Sequence, residues 1–400
     1  MGAKEVHPGS RRKTVRHNYQ GYFFMQVTAS IFKAYDIRGT YLRNLDEKLA
    51  EALGRAFGSL AMKEGRHTVA VGRDGRLSGP VLSAALMRGL VAVGIEVIDV
   101  GLTTTPQLYF AAHTVCDSGI QVTGSHNPKD DNGFKMVLGG RAVYGDEIKA
   151  LQHVIENESW QLKAGGSIRV VDILPAYFER IVSGIKLSRP LKIVVDSGNG
   201  IAGATAPGIF RALGCEVIEL FSEVDGHFPN HHPDPSKPEN LKDLIATLQS
   251  SGAELGLAFD GDGDRLIVCD EKGNIVDGDH TMVICAADLM ARKKLKKKTL
   301  VATVMSNMGL EVAMAKMGGK MLRTQVGDRY VVEEMRKRGV LMNAIGRHRN
   351  TLKMRPPLVI KKPEIDFKSI QNDLMNIGAE ISIPNSEKNF LYQEKQFLHL

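Results

Sequence analysis

Three aspartates alternate with glycines in the segment 260–264, and Arg265 follows them directly. Carboxylates at every second position of a tight turn can converge on one point, and carboxylate oxygens suit a hard divalent cation. The spacing therefore predicts a magnesium site with Asp260, Asp262 and Asp264 as ligands and an open position for a phosphate oxygen. An EF-hand is disfavoured, because Arg265 replaces the glycine needed at its sixth position and strands flank the segment. A solvated acidic turn is the remaining alternative.

A second segment, 121–128, reads Gln-Val-Thr-Gly-Ser-His-Asn-Pro and presents Ser125 at the end of a predicted strand. A serine hydroxyl is a poor nucleophile unless a base or metal activates it, or unless it already carries the group to be transferred. His126 and Asn127 can donate to phosphate oxygens. The Gly-x-Ser-x-Gly elbow of hydrolases is absent, and an ordinary turn is the alternative. Combined with the aspartates, Ser125 predicts metal-assisted phosphoryl transfer through a phosphoserine.

Five further side chains are candidates for holding a ligand. Four lie in glycine-flanked loops at the ends of predicted strands, and the fifth, Arg265, directly follows the aspartates and offers a planar fork of donors to a phosphate or sugar hydroxyl. Ligands of α/β proteins gather at such strand ends. Each of the five could equally be an ordinary surface residue when it is considered alone. They are Tyr35, Arg38, Arg73, Lys135 and Arg265.

The elements that position these residues follow a strand, glycine-rich turn, helix and strand pattern that begins again twice along the chain. Such alternation indicates βαβ units and a mostly parallel sheet. The predicted fold class is therefore α/β, with three similar mixed α/β domains in series. The proline-rich segment 228–240 is predicted to be an irregular loop beside the metal region. The predicted divisions are a basic leader (1–29), domain I (30–185), domain II (186–275), a partial domain III (276–345) and an unmatched tail (346–400).

Composition excludes several classes of protein. Hydrophobic residues make up 43% of the chain, which supports packed cores, and no apolar run reaches the length of a membrane span. The net charge is +7, but the one dense basic run, 292–298, lacks interleaved aromatics and is interpreted as a solvated helix end. A phosphorylated small molecule accounts for this charge balance, with no nucleic-acid or membrane partner. Four scattered cysteines indicate buried, reduced thiols in a cytoplasmic protein.

Four motifs in the same order resemble those of the α-D-phosphohexomutases, most closely the bacterial phosphomannomutase/phosphoglucomutase branch. The resemblance covers roughly residues 30–345 and is highly specific. The motifs are Phe-Lys-Ala-Tyr-Asp-Ile-Arg-Gly at 32–39, Gly-Arg-Asp-Gly-Arg at 72–76, Thr-Gly-Ser-His-Asn-Pro at 123–128 with Asn-Gly-Phe-Lys at 132–135, and Asp-Gly-Asp-Gly-Asp-Arg at 260–265.

The resemblance implies reversible transfer of phosphate between the 1- and 6-positions of mannose or glucose. Ser125 would carry the phosphate and complete the Mg²⁺ site, and glucose 1,6-bisphosphate or mannose 1,6-bisphosphate would prime the serine as activator. Lys135 and Arg265 would stabilise charge or hold substrate. The expected substrate-binding residues are Tyr35, Arg38, His126, Asn127, Arg265 and Arg329, the last of which belongs to the matching segment 327–331.

The resemblance stops inside the third domain. Residues 346–400 match neither the family's sugar-recognition loop nor its fourth domain, so the third domain is expected to be incomplete and the fourth absent. A frameshift and a divergent tail both explain this loss. Accordingly, an impaired member that still binds metal and phosphosugar is one alternative function. A magnesium-dependent phosphatase or phosphotransferase and a non-catalytic sugar-phosphate binder are others. The sequence indicates no sugar preference and no oligomeric state.

Overall fold

The computed structural model describes residues 27–326 and 328–337. Three β-sheets with flanking helices follow one another along this part of the chain. This arrangement confirms the predicted fold class of three α/β domains in series, while the exact domain boundaries stay predictions. The leader up to residue 26 and the tail from residue 338 lie outside the described residues.

The first unit contains a seven-stranded sheet. Its strands are β1 (Ile37–Thr40), β2 (Thr68–Arg73), β3 (Glu96–Leu102), β4 (Gly119–Val122), β5 (Asp131–Leu138), β6 (Arg141–Ala142) and β7 (Ser167–Val170). Its helices are α1 (Glu47–Lys63), α2 (Gly79–Ala92), α3 (Thr105–Ala111), α4 (Asp146–Glu156) and α5 (Leu174–Val182).

The first sheet is mixed rather than mostly parallel, which corrects one expectation. Its order is β1-β5-β4-β2-β3-β7, with β6 paired to β5. Strands β4, β2, β3 and β7 are parallel, whereas β5 runs antiparallel to both of its main neighbours. The physical reason is the short connection 123–130, because a parallel crossover needs about a dozen residues or more. The serine segment is therefore the turn that joins β4 to β5.

The second unit repeats this plan in a five-stranded sheet of order β12-β11-β10-β8-β9. Parallel β8, β9 and β10 are extended by antiparallel β11, and the aspartate segment is the turn that joins β10 to β11. The serine turn and the aspartate turn thus each follow the carboxyl end of a parallel strand. The elements are β8 (Lys192–Asp196), α6 (Ala206–Ala212), β9 (Glu216–Leu220), α7 (Lys242–Ser251), β10 (Leu255–Phe259), β11 (Leu266–Asp270) and β12 (Ile275–Val276).

The third unit contains two strands, which pair in parallel, and three helices. Its elements are α8 (Gly278–Ala291), β13 (Thr299–Thr303), α9 (Met308–Lys316), β14 (Lys320–Thr324) and α10 (Asp328–Lys337). The basic run begins directly after α8, and its lysines are exposed, as a solvated helix end requires. None of the helices in the described ranges combines the length and apolar character needed to cross a bilayer.

Two smaller expectations need correction. The segment 228–240 is irregular only as far as residue 237, after which a short 3-10 helix covers Pro238–Leu241. Pro238 can begin this helical turn because the first N–H groups of a helix have no internal partner.

All four cysteines are free thiols, but only Cys215 and Cys269 are buried, while Cys116 and Cys285 are half-buried.

Candidate active site

The serine turn of the first unit and the aspartate turn of the second unit touch each other. The Ser125 hydroxyl donates a hydrogen bond of 2.8 Å to Asp260 Oδ2, and both residues are fully buried. The two residues are separated by 135 positions in the sequence. The structure therefore brings together the two elements from which phosphoryl transfer was predicted.

A hydrogen-bond network behind Ser125 fixes the serine turn. The Ser125 N–H donates to Thr123 Oγ1 at 2.8 Å, and the Thr123 hydroxyl donates to Asp74 Oδ2 at 2.6 Å. Asp74 Oδ2 also accepts the Gly124 N–H at 3.2 Å. Ser125 has a φ of 50°, in the left-handed region that non-glycine residues rarely adopt. Such a conformation persists only where the surroundings over-determine it, often at functional sites.

The aspartate turn is closed by hydrogen bonds to its first carboxylate. Asp260 Oδ1 accepts the backbone N–H groups of Asp264 and Arg265, each at 3.0 Å. Gly261 is required by close approach, since a Cβ at this position would lie 2.4 Å from the Ser125 carbonyl oxygen. The same Cβ would lie 3.4 Å from Pro233 Cγ, which places the proline-rich segment beside the metal region as predicted.

The three aspartates fit a divalent cation. Asp260, Asp262 and Asp264 each offer an oxygen, and these oxygens lie within 4.8 Å of one another. Asp262 Oδ1 is buried and has no hydrogen-bond partner, as expected of an atom that a metal would satisfy. Burial and the neighbouring charges of Asp262 and Asp264 raise the pKa of Asp260 well above its usual value. A bound cation would relieve this repulsion, so oxygen chemistry and charge both favour a hard metal ion such as Mg²⁺.

Lys135 lies on β5 and faces the aspartates. Its Nζ donates to Asp262 Oδ2 at 2.6 Å and to Asp264 Oδ2 at 2.8 Å. Burial alone would lower the pKa of Lys135, but these carboxylates outweigh it and raise the pKa above its usual value. Lys135 is therefore a permanent cation at the edge of the three-aspartate cluster, where it can stabilise a transferring phosphoryl group.

His126 and Arg265 each carry a polar atom without a hydrogen bond at this site, although Arg265 Nε is ion-paired with Asp260 Oδ2 at 4.0 Å. His126 Nδ1 lies 3.3 Å from Ser125 Oγ, while His126 Nε2 and Arg265 Nε are buried without hydrogen bonds. Burial, followed by the charges of Arg265, Arg38 and Lys135, lowers the pKa of His126 to about 2. His126 is thus neutral at physiological pH and can serve an incoming phosphate only through hydrogen bonds.

The other predicted substrate residues occupy different places. Arg38 donates to Asp36 Oδ2 at 2.6 Å and to Asn127 Oδ1 at 3.2 Å, so it lies beside the serine turn. The Tyr35 hydroxyl donates to the Val326 carbonyl at 3.1 Å and thereby links the first and third units. Arg329 belongs to α10, but its side chain lies outside the described residues. Their substrate roles stay predictions.

Sequence reasoning missed Thr105, the first residue of α3. Its N–H donates to the Asp262 carbonyl at 3.0 Å, and its hydroxyl donates to Asp262 Oδ2. A buried threonine in the first unit thus orients a candidate metal ligand in the second. No local pattern marks this role, because the two residues are separated by 157 positions.

Thr105→Val is expected to weaken Mg²⁺ binding about tenfold, because loss of a group that orients a metal ligand typically lowers metal affinity. Thr105→Ser keeps the hydroxyl and should retain most of the affinity. Titration calorimetry with Mg²⁺ measures both variants. An unchanged dissociation constant for Thr105→Val would contradict this role.

An ion pair supports the segment next to the aspartate turn. His231 Nε2 lies 3.1 Å from Oδ2 of buried Asp196, and burial opposes protonation of His231. The hydrogen bond and charge of Asp196 outweigh burial and raise the pKa of His231 above its usual value. The stabilisation is therefore fully present below the unfolded-state pKa of about 6.5 and is lost as pH rises through the higher folded-state pKa.

His231→Gln is expected to destabilise the protein more at pH 5.5 than at pH 9, because glutamine can keep the hydrogen bond to Asp196 but not the charge. Urea-induced unfolding at both pH values measures the difference. The exposed His67, replaced in the same way, is the control. A destabilisation that is equal at both pH values would exclude the ion pair as its source.

Comparison with known proteins gives matches in all three units. Family models described as phosphoglucomutase/phosphomannomutase, alpha/beta/alpha domains I, II and III match residues 29–162, 175–273 and 277–345. A phosphoglucomutase of Neisseria gonorrhoeae is 46% identical over 318 residues, which are 79% of this chain and 69% of that protein. A phosphomannomutase/phosphoglucomutase of Pseudomonas aeruginosa (strain PAO1) is 46% identical over 79% of this chain and 68% of its own length.

A solved structure shares the fold. The crystal structure of a phosphoglucomutase/phosphomannomutase family protein from Burkholderia thailandensis superposes with a TM-score of 0.75 at 46% identity. The match covers 79% of this chain and 70% of the other.

Proposed function

The chain belongs to the phosphoglucomutase/phosphomannomutase family of α-D-phosphohexomutases, and we propose that it interconverts hexose 1-phosphates and hexose 6-phosphates through a phosphorylated Ser125. The observation that carries this proposal is the 2.8 Å hydrogen bond between the Ser125 hydroxyl and Asp260 within the three-aspartate cluster. A serine in this position can exchange its phosphate with a sugar beside a bound metal.

The charged residues around Ser125 have separate parts in the proposed reaction. Mg²⁺ held by Asp260, Asp262 and Asp264 would supply positive charge to the transferring phosphoryl group. Lys135 and Arg265 add fixed cations at the same edge, and positioning with electrostatic stabilisation is the main source of catalysis in phosphoryl transfer. Glucose 1,6-bisphosphate or mannose 1,6-bisphosphate would phosphorylate Ser125 before the first cycle.

The substrate would be a hexose monophosphate, whose phosphate meets the cationic and neutral donors around Ser125. Arg38, Asn127 and, in the tautomer that carries its proton on Nε2, His126 are the proposed donors. Because Ser125 is fully buried, the site must open before a sugar phosphate can reach its hydroxyl. The free thiols fit a reducing compartment, and we place the protein in the cytoplasm.

A coupled assay tests this function. Purified protein is supplied with glucose 1-phosphate or mannose 1-phosphate, Mg²⁺ and glucose 1,6-bisphosphate, and formation of the 6-phosphate is followed. Turnover that EDTA abolishes and Mg²⁺ restores is expected. Metal-dependent release of inorganic phosphate without 6-phosphate would instead indicate a phosphatase, and binding without any turnover would indicate a non-catalytic binder.

A further inference from the structure

Arg76 ends the motif 72–76, and the proposed function gives it no role. Its side chain is fully buried, and its guanidinium binds four main-chain carbonyls, three in the serine turn and one at the start of β5. The acceptors are Ser125 O at 2.8 Å, Asn127 O at 2.7 Å, Asp131 O at 2.8 Å and Pro128 O. A single cation therefore holds the serine turn and the start of β5 at four points, in addition to the hydrogen bonds with Thr123 and Asp74.

No other common side chain can replace this arrangement. Guanidinium is planar, always charged and presents five donors in a rigid fork, whereas lysine offers one compact ammonium. Without Arg76, the buried carbonyl of Ser125 would lose this partner, and a buried carbonyl without a hydrogen bond is unfavourable. The turn would then have to rearrange to reach water.

Arg76 also holds Ser125 in its unusual backbone conformation. The carbonyl of Ser125 accepts from Arg76, while its N–H is held by Thr123 on the other side. Both main-chain polar atoms of a residue at φ 50° are thus fixed from the first unit. Gly124 is required by this contact, because a Cβ there would lie 2.4 Å from Arg76 Cζ.

The second unit closes over the same guanidinium. The ring centroid of Phe228 lies 5.3 Å from Arg76 Cζ, within the range of a cation–π interaction. Nearby, a Cβ on Gly226 would lie 2.6 Å from the Gly75 carbonyl oxygen, so the two chain segments are in direct contact. The second unit therefore contacts the serine turn through Arg76 as well as through Asp260.

We propose that Arg76 is a positioning residue for phosphoryl transfer, which holds the Ser125 hydroxyl against the aspartate turn. Phe228 of the second unit holds the Arg76 guanidinium in place. This inference rests on the proposed function. Arg76 touches neither reacting atom, so its effect is on the rate of transfer at Ser125 rather than on sugar binding.

Two variants test the proposal, each with a matched control. Arg76→Lys keeps the charge but loses the fork, and Phe228→Leu keeps apolar bulk but loses the ring. The controls are Arg55→Lys and Trp160→Leu, because Arg55 Cζ lies 5.6 Å from the Trp160 ring in a similar pair. Two readouts are taken: the rate of Ser125 phosphorylation by labelled glucose 1,6-bisphosphate, with kcat and KM, and amide hydrogen exchange of peptides spanning 123–131.

Arg76→Lys is expected to lower phosphorylation and kcat about 100-fold with KM little changed, since small displacements of reacting groups have effects of this size. Phe228→Leu should lower both about fivefold, and the double variant should lose no more than Arg76→Lys alone. Exchange in the 123–131 peptides should rise in both variants and in neither control.

Unchanged phosphorylation and unchanged exchange in folded Arg76→Lys would overturn the proposal, as would a rise in KM with kcat preserved. If Arg76→Lys is not recovered folded, Phe228→Leu decides by the same criteria. If the wild-type protein takes up no phosphate, the proposed function fails, and hydrogen exchange alone still decides whether Arg76 holds the serine turn.

Discussion

Ser125→Ala is expected to abolish phosphate incorporation from glucose 1,6-bisphosphate and to lower kcat by about 10⁴-fold or more, as loss of a covalent nucleophile does in other enzymes. The reason is direct, because Oγ is the only atom of this turn proposed to carry phosphate. Folding should be retained, since the side chain of Ser125 is hydrogen-bonded to Asp260 and His126 while its backbone bonds stay in place. Intact-protein mass spectrometry after incubation with the bisphosphate measures the outcome.

Ser118→Ala is the matched control. Ser118 is also fully buried and directly precedes β4, at the opposite end of the strand that leads to the serine turn. Its hydroxyl contacts Asp117 and the Gly139 N–H rather than the aspartate cluster. Full labelling of Ser118→Ala is expected, and full labelling of Ser125→Ala would refute the phosphoserine mechanism.

Asp260→Asn is expected to separate metal binding from folding. The amide oxygen can still accept the two N–H groups that Asp260 Oδ1 accepts at 3.0 Å, and one buried negative charge is removed. Burial, followed by repulsion from Asp262 and Asp264, raises the pKa of Asp260, and the amide avoids both costs. The metal-free variant should therefore be as stable as the wild type or more stable. Mg²⁺ affinity and kcat should fall steeply, kcat by about 10³-fold, because a metal supplies several kcal/mol of charge stabilisation.

The matched control is Asp270→Asn, at the end of β11. Asp270 is also buried in the second unit, and its carboxylate accepts from Lys272 and Asn274 rather than facing the serine. Its replacement should lower stability and leave Mg²⁺ affinity intact, the reverse of Asp260→Asn. Titration calorimetry and thermal unfolding with and without Mg²⁺ distinguish them, and wild-type Mg²⁺ affinity in Asp260→Asn would contradict the assigned metal site.

Much of the site could be found in the sequence because its chemistry is encoded in contiguous residues. Three alternating carboxylates and a serine between glycine and histidine are local signals, and each turn follows the carboxyl end of a parallel strand, as predicted from the strand pattern. The hydrogen bond between Ser125 and Asp260 then brings these two signals into one site. Lys135 was predicted both from an expected loop position and from the family motif; it lies instead within strand β5, against Asp262 and Asp264.

The roles of the residues that support the site could not be predicted in this way, although Arg76 belongs to the motif 72–76. Arg76 binds carbonyl oxygens, which every residue possesses, so its partners leave no trace in side-chain patterns. Thr105 donates a hydrogen bond to Asp262 in the second unit, and only the packing of the two units creates that contact. The antiparallel strand β5 was also not predicted, because helix and strand periodicity cannot report how a short turn reverses the chain. Residues 346–400, predicted to be an unmatched tail, lie outside the described residues.

Transfer of phosphate from Ser125 to a sugar phosphate can be followed in a single-turnover experiment. Protein labelled with ³²P on Ser125 is mixed with unlabelled glucose 1-phosphate and Mg²⁺, quenched, and its small molecules are separated. The label is expected to move from the protein to glucose 1,6-bisphosphate and then to glucose 6-phosphate. Label that stays on the protein, or that leaves only as inorganic phosphate, would contradict this transfer.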